Sequence, residues 1–184
     1  MPSFYRICGP ILLLWLLFTG CDKSEFVTGF LEIEYQLIPG QSEVVPSYQT
    51  VIWLEDQRGD YVKSLLVSEY LSYGGYHDST ICPTWQAQVD WDNVPEAEFE
   101  AVTRATPPIG MNHLKIELAP IQLPPGNYRF LVETHIQEKY NVLYAGEIEL
   151  GRKPNESSAT VQYVPTEHPL AGEVLRNVKA KYYQ

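Results

Sequence analysis

From residue 30 onward, apolar and polar residues alternate in short runs broken by Pro, Gly or Asn, and a helical period is scarce. In FLEIEYQL (Phe30 to Leu37), Leu31, Ile33, Tyr35 and Leu37 fall on one side and Phe30, Glu32 and Glu34 on the other. That two-residue period is the mark of a strand with one buried face. YQTVIWLED (Tyr48 to Asp56) is nearly continuously apolar in its middle, as a central strand is. QRGD then turns at Gly59 and YVKSLLVS returns, which reads as a hairpin. HLKIEL, NYRFLVETHI, LYAGEIEL, ATVQYV and VLRNVKAKY follow at strand-like spacing. The break APIQLPPGN is the strongest of those between them, because two adjacent prolines cannot sit inside a central strand.

Seven or eight short strands without intervening helices predict an all-β fold, an immunoglobulin-like β-sandwich of seven to nine strands over residues 30–184. Trp53, Tyr128 and Phe130 are expected in its core. The segment from Ser68 to Val94 breaks the pattern: Tyr70, Tyr73 and Tyr76 recur every third residue, and GGYHDSTICPTW follows without a period. It reads as one long crossover loop with a helical turn near Trp85, and long loops on rigid scaffolds often carry function. The three tyrosines are the candidate partner-contact surface, although closing the open end of a sandwich would use them equally well. Glu96, Glu98 and Glu100 alternate, which predicts one solvated face of an extended segment.

The first twenty residues follow a different rule. MPSFYRICGP carries Arg6 as its one charged side chain, and ILLLWLLF (Ile11 to Phe18) is apolar but too short to cross roughly 30 Å of hydrocarbon as a helix. A basic start, an apolar middle and small residues at the end make residues 1–20 a secretory signal peptide. Thr19, Gly20 and Cys21 resemble the lipobox of bacterial lipoproteins, with Phe18 where that box prefers leucine. The resemblance implies a diacylated Cys21 thiol, cleavage before it, and residues 21–29 as a tether. Acyl chains add on the order of 0.8 kcal/mol per buried methylene, so two or three would hold the protein on a membrane. The alternative is an ordinary signal peptide cut nearby. Asp22 resembles an inner-membrane retention signal of enteric-type bacteria, a rule that varies between groups, so inner and outer membrane both stay open.

Removing residues 1–20 leaves 164 residues, with Lys+Arg reduced from 13 to 12 against 23 acids and a net charge of −11. Such a surface repels nucleic acid and anionic headgroups. Cys82 is then the one thiol left to the folded domain, expected as a small partly buried side chain without a disulfide partner. His77, Asp78 and Cys82 offer three loosely spaced ligands where structural metal sites usually want four, so no metal is expected. His113, His135 and His168 are scattered over separate elements, and no nucleophile elbow, Walker loop or dinucleotide fingerprint occurs.

Read in order, VIWLEDQRGDYVKSLLVS, a tryptophan-containing crossover, EAVTRATPPIG and LPPGNYRFLVET resemble a family of predicted periplasmic proteins of unknown function. That family is found beside PepSY-type membrane proteins and the FAD:protein FMN transferase. The resemblance covers about residues 30–184 and implies an immunoglobulin-like fold in an envelope redox neighbourhood. The transferase joins the phosphate of FMN to a threonine hydroxyl, in targets with an acid, two residues, then Ser/Thr-Gly-Ala-Thr. By that resemblance Glu100 takes the acid position, Thr103 the first hydroxyl, Ala105 the alanine, and Thr106 the acceptor. Glu100 stands for the usual aspartate and Arg104 for the usual glycine, and arginine would take a left-handed backbone only at a cost of roughly 1–2 kcal/mol. The other reading of the stretch is a plain loop, in which Pro107 and Pro108 stop any helix, Thr103 and Thr106 cap turn amides, and Gly110 permits the bend.

The function expected from the sequence is a non-enzymatic, lipid-anchored accessory or binding protein of the envelope, facing the periplasm and associated with a membrane redox partner, without a cofactor. The alternatives are an electron carrier with covalent FMN at Thr106, and a hydrolase or ligand-binding lipoprotein using surface carboxylates.

Overall fold

The computed structural model describes residues 26–40, 45–167 and 174–184. The expected signal peptide, Cys21 and His168 lie outside them. Within the described residues, β1 (Phe30–Leu37), β5 (Gly110–Glu117), β8 (Asn155–Ser158) and β10 (Leu175–Tyr183) form one sheet in the order β5-β1-β10-β8. The other sheet holds β2 (Thr50–Glu55), β3 (Tyr61–Ser68), β4 (Thr103–Arg104), β6 (Gly126–Gln137), β7 (Tyr140–Leu150) and β9 (Thr160–Val164), ordered β4-β3-β2-β6-β7-β9.

This is the all-β sandwich that the alternation predicts, with ten strands rather than seven to nine. The additions are β4, two residues long, and β8, whose sequence NESS has no apolar alternation to announce it. Leu31, Ile33, Tyr35 and Leu37 point into the space between the sheets, as their period required. Ile52 and Leu54 of β2 and Phe130, Val132 and Ile136 of β6 meet them from the other side. The QRGD turn sits between β2 and β3 with Gly59 at φ +87°, a conformation that favours glycine.

A second core lies on the opposite face of the six-stranded sheet. Val51, Trp53, Val67, Leu131 and Leu143 project there and are covered by Leu71, Ile81, Cys82, Trp85, Trp91 and Val102 of the crossover. The six-stranded sheet is therefore covered on both faces, which is why every residue of β2 is buried and why its sequence is continuously apolar rather than alternating.

The strands also define two poles. At one, Phe30 pairs with Glu117 and Tyr183, and Val27 donates its N–H to Leu123 O at 2.8 Å. At the other, Leu37 pairs with Gly110 and Leu175. Eight residues of β1 separate them, roughly 23 Å at about 3.3 Å per residue.

Candidate functional site

The crossover is built from short helical pieces: α1 (Glu69–Ser72), α2 (Pro83–Gln86) and α3 (Glu96–Val102), with 3-10 turns at Gly75–His77 and Trp91–Asn93. The helical turn expected near Trp85 is α2. The extended segment expected for Glu96, Glu98 and Glu100 is instead α3. Pro95 precedes its first turn, where Glu96 and Glu98 complement the positive end of the helix dipole. In a helix the alternation splits: Glu98 pairs with Lys63 at 2.8 Å, while Glu96 and Glu100, four residues apart, share another face.

Three polar groups of the sheet hold the crossover down. Ser64 Oγ accepts from the indole N–H of the fully buried Trp85 at 2.9 Å. Asn141 accepts from Cys82 N–H at 3.0 Å and donates to the carbonyls of Thr80 (3.0 Å) and Lys139 (3.2 Å). The carboxylate of Glu133, wholly buried, accepts the backbone N–H groups of Thr84 (3.3 Å) and Trp85 (3.1 Å). Burial pushes Glu133 up to about 7, and those N–H bonds oppose it in part. Cys82 takes a left-handed φ of 50° and is fully rather than partly buried. Its thiol faces the carbonyls of Gln49 and Glu133, and burial raises it well above the usual thiol range. At the other end of the same face, Glu55 accepts from Trp53 Nε1 (3.0 Å) and Gln88 Nε2 (2.8 Å) and pairs with Arg129 at 2.6 Å.

On the outer surface of this layer, Tyr70 and Tyr73 are 60% and 71% exposed. Tyr70 lies against Gly75, where any Cβ would stand 2.6 Å from its ring. Tyr73 meets Phe99 edge to face with centroids 5.1 Å apart, Phe99 lies 5.6 Å from Trp91, and Trp91 lies 5.1 Å from Trp85. Tyr76 donates its hydroxyl proton to Asp92. Tyr73 and Tyr76 thus border one groove, while Tyr70 folds back on its own turn.

The stretch from Glu100 to Gly110 leads to the pole far from Val27. Glu100 ends exposed on α3. Thr103 caps no turn amide: its hydroxyl donates to Phe99 O at 2.7 Å and lies 3.0 Å from Ser72 Oγ. Thr103 and Arg104 form β4, parallel to β3, so the expected loop begins with a strand. Arg104 is extended, and the left-handed cost considered for it does not arise. Ala105 and Thr106 are exposed in backbone without regular structure, and Thr106 Oγ1 accepts from Gln49 Nε2 at 3.3 Å. Buried Pro107 and Gly110 at φ +115° turn the chain into β5.

His77, Asp78 and Cys82 do not converge. The first two are exposed, Asp78 accepts from the N–H and hydroxyl of Thr80, and the thiol points inward. Sequence reasoning missed another set: ligand atoms of Glu32, Glu34 and His113 lie within 4.8 Å of one another. Register places Glu34 opposite His113, which no spacing along the chain could signal, and Lys179 sits 2.7 Å from Glu34 as its counter-charge. His135 is buried between Ser47 Oγ (2.6 Å) and Glu138 O (2.8 Å).

No curated protein and no solved structure matches the chain. Residues 33–164 match the family model described as "Predicted periplasmic protein (DUF2271)", and the chain belongs to that family.

Proposed function

We propose that this protein is a lipid-anchored envelope module, without catalysis of its own, that presents its crossover layer to a membrane redox partner. The observation that carries this reading is the combination of a pinned scaffold with exposed aromatics: Glu133, Asn141 and Ser64 fix the crossover, yet Tyr70 and Tyr73 stand mostly in solvent. Rigid aromatics with a polar tip are favoured at interfaces because little side-chain entropy is lost when they are covered. The pole geometry agrees with an anchor at Cys21. Val27 is tied to Leu123 at the pole opposite Gly110, so an anchor at Cys21 acting from that end would leave the Thr103–Gly110 loop at the far end of the sandwich. The test is a photo-crosslinking side chain at Tyr73, with a second at Glu147 as control, in cells whose lipoproteins are labelled with a palmitate analogue. A membrane redox protein captured from Tyr73 alone, with Cys21-dependent lipid label, is expected. Equal capture from both positions, or none, would refute the partner, and label retained in Cys21→Ser would refute the anchor.

A second reading, FMN carried on Thr106, is favoured by one observation: the hydroxyl is exposed on irregular backbone and Arg104 needs no left-handed conformation. Co-expression with the FMN transferase followed by mass spectrometry of the Thr106 peptide decides it. The FMN adduct should appear in the wild type and vanish in Thr106→Ala; an unmodified wild-type peptide rejects it.

A further inference from the structure

The mature chain is acidic overall, yet its charge is unevenly placed. Residues 69–103, which make the crossover, hold seven Asp or Glu and no Lys or Arg. The Val27 pole differs. Residues 118–125, LAPIQLPP, join β5 to β6 without one charged side chain, and Ala119, Pro120, Pro124 and Pro125 are exposed there. Phe26, one residue before the Val27–Leu123 bond, is 43% exposed. On the other side of this segment, a Cβ on Gly151 would stand 2.8 Å from Pro125, so the 151–154 turn adjoins it. In that turn Arg152 and Lys153 are exposed, and neither side chain has a hydrogen bond or ion pair to another described residue. Asp56, Asp60 and Glu117 share the pole with Arg58 and Lys115, and Asp56 is turned into its own loop, where it accepts the N–H groups of Arg58 and Asp60. An apolar strip and two unpaired cations thus make one continuous end face.

We infer that this end face seats on an anionic phospholipid surface, with Phe26 and the 118–125 segment at headgroup depth and Arg152 and Lys153 on lipid phosphates. The inference rests on the anchor at Cys21 and adds an orientation to it. Five residue steps separate Cys21 from Phe26, a reach of at most about 18 Å, so the end face stays close to the headgroups however the domain tilts. Over so short a tether the contact is intramolecular, at an effective concentration on the order of millimolar, and weak contacts suffice. Charge decides which face lands. Lying on the crossover would bring seven acids to the phosphates, whereas the end face brings two free cations and an uncharged strip. An aromatic ring and prolyl surface suit the boundary between headgroups and acyl chains, and the guanidinium of Arg152 can take a phosphate through two parallel N–H bonds. The sandwich then stands upright, and the crossover with Tyr70 and Tyr73 faces sideways along the membrane.

The test couples the Cys21 thiol of the mature chain to a maleimide lipid in vesicles of phosphatidylcholine and phosphatidylglycerol that carry a doxyl-labelled quencher lipid. Cys82 is fully buried and does not compete for the maleimide, and Trp53, Trp85 and Trp91 are buried in the second core, so the parent chain gives the background. Pro124→Trp should be quenched and Thr106→Trp, at the far pole, should not. Quenching at Pro124→Trp should fall several-fold when Arg152→Glu/Lys153→Glu is added, or when phosphatidylglycerol is left out. Adding Lys139→Glu, in the exposed turn between β6 and β7 at the far pole, should leave it unchanged. Equal quenching at the two tryptophan positions, no loss in the Arg152/Lys153 variant, or no dependence on phosphatidylglycerol would each overturn the inference. Because the coupling is chemical, these outcomes do not depend on whether cells lipidate Cys21, which the palmitate label reads separately.

Discussion

Glu133 is the buried carboxylate on which α2 rests, and its titration should shape how stability depends on pH. Burial lifts it from 4.5 to about 7, against the opposing bonds from Trp85 and Thr84. Between those values the folded protein keeps a proton that the unfolded chain has lost. The associated stability is thus complete below about pH 4.5 and disappears as pH rises through about 7. At about 1.4 kcal/mol per unit the interval amounts to roughly 3 kcal/mol. Other groups titrate in the same range, so the informative quantity is the gap between wild type and Glu133→Gln. Glutamine does not titrate, so its difference from the protonated glutamic acid is a fixed offset, and the part of the gap that changes with pH belongs to Glu133. Urea unfolding followed by Trp fluorescence at pH 4.5, 6, 7 and 8 should show the gap moving by roughly 3 kcal/mol in favour of the variant. The amides of Thr84 and Trp85 should lose hydrogen-exchange protection in wild type over the same interval. A gap that stays constant with pH would refute the reasoning.

Asn141→Ala removes three hydrogen bonds and leaves the N–H of Cys82 buried without its acceptor. A loss of roughly 2–4 kcal/mol in urea unfolding is expected, with ordinary surface-mutant values counting against it. Gly146→Val places a Cβ 2.5 Å from Phe130 Cζ and 3.1 Å from the Ala159 backbone, and should lower stability by roughly 1–3 kcal/mol by the same measurement. Arg129→Met strands the buried charge of Glu55, whose side chain is 1% exposed against 38% for Arg129. Because the arginine is partly solvated, the loss is set below that of a fully buried pair, at about 2 kcal/mol. Adding Glu55→Gln should recover most of it; no recovery would mean that the arginine acts through packing.

The strands of the sandwich were legible because each buried one face, and the period of β1 survived into its burial pattern residue by residue. The continuous run of β2 carried further information, that both faces of its sheet are covered, but the sequence pattern could not show by what. The cover consists of helical pieces of three to seven residues, too short for a 3.6-residue period to build up. Glu96, Glu98 and Glu100 misled for the same reason: over five residues alternation fits a strand, and the Lys63 pair and the packing of Phe99 and Val102 on the second core, both tertiary facts, go with a helix instead. Glu133 was invisible as a buried acid because VETH reads as ordinary alternation in β6, and its outward face becomes interior only once α2 lies on it. The Glu100–Thr106 motif was readable as residues, yet the extended backbone of Arg104 came from pairing with Ser68, some way back in the chain.

The limits of the family match bear on which layer matters. Residues 33–164 end with the last residue of β9, so they include every strand of the six-stranded sheet and the whole crossover that covers it. They leave out β10, a central strand of the other sheet. A segment lacking β10 would expose one side of β1 and open the inner core, so the match does not trace a self-sufficient folding unit. What it traces intact is the sheet with its outer cover: Trp53 and Trp85 in one core, the Glu133 and Asn141 anchors, the groove bordered by Tyr73 and Tyr76, and the Thr106 loop. The four-stranded sheet closes the inner core, and the exposed Tyr70, Tyr73 and Thr106 all fall within the matched residues.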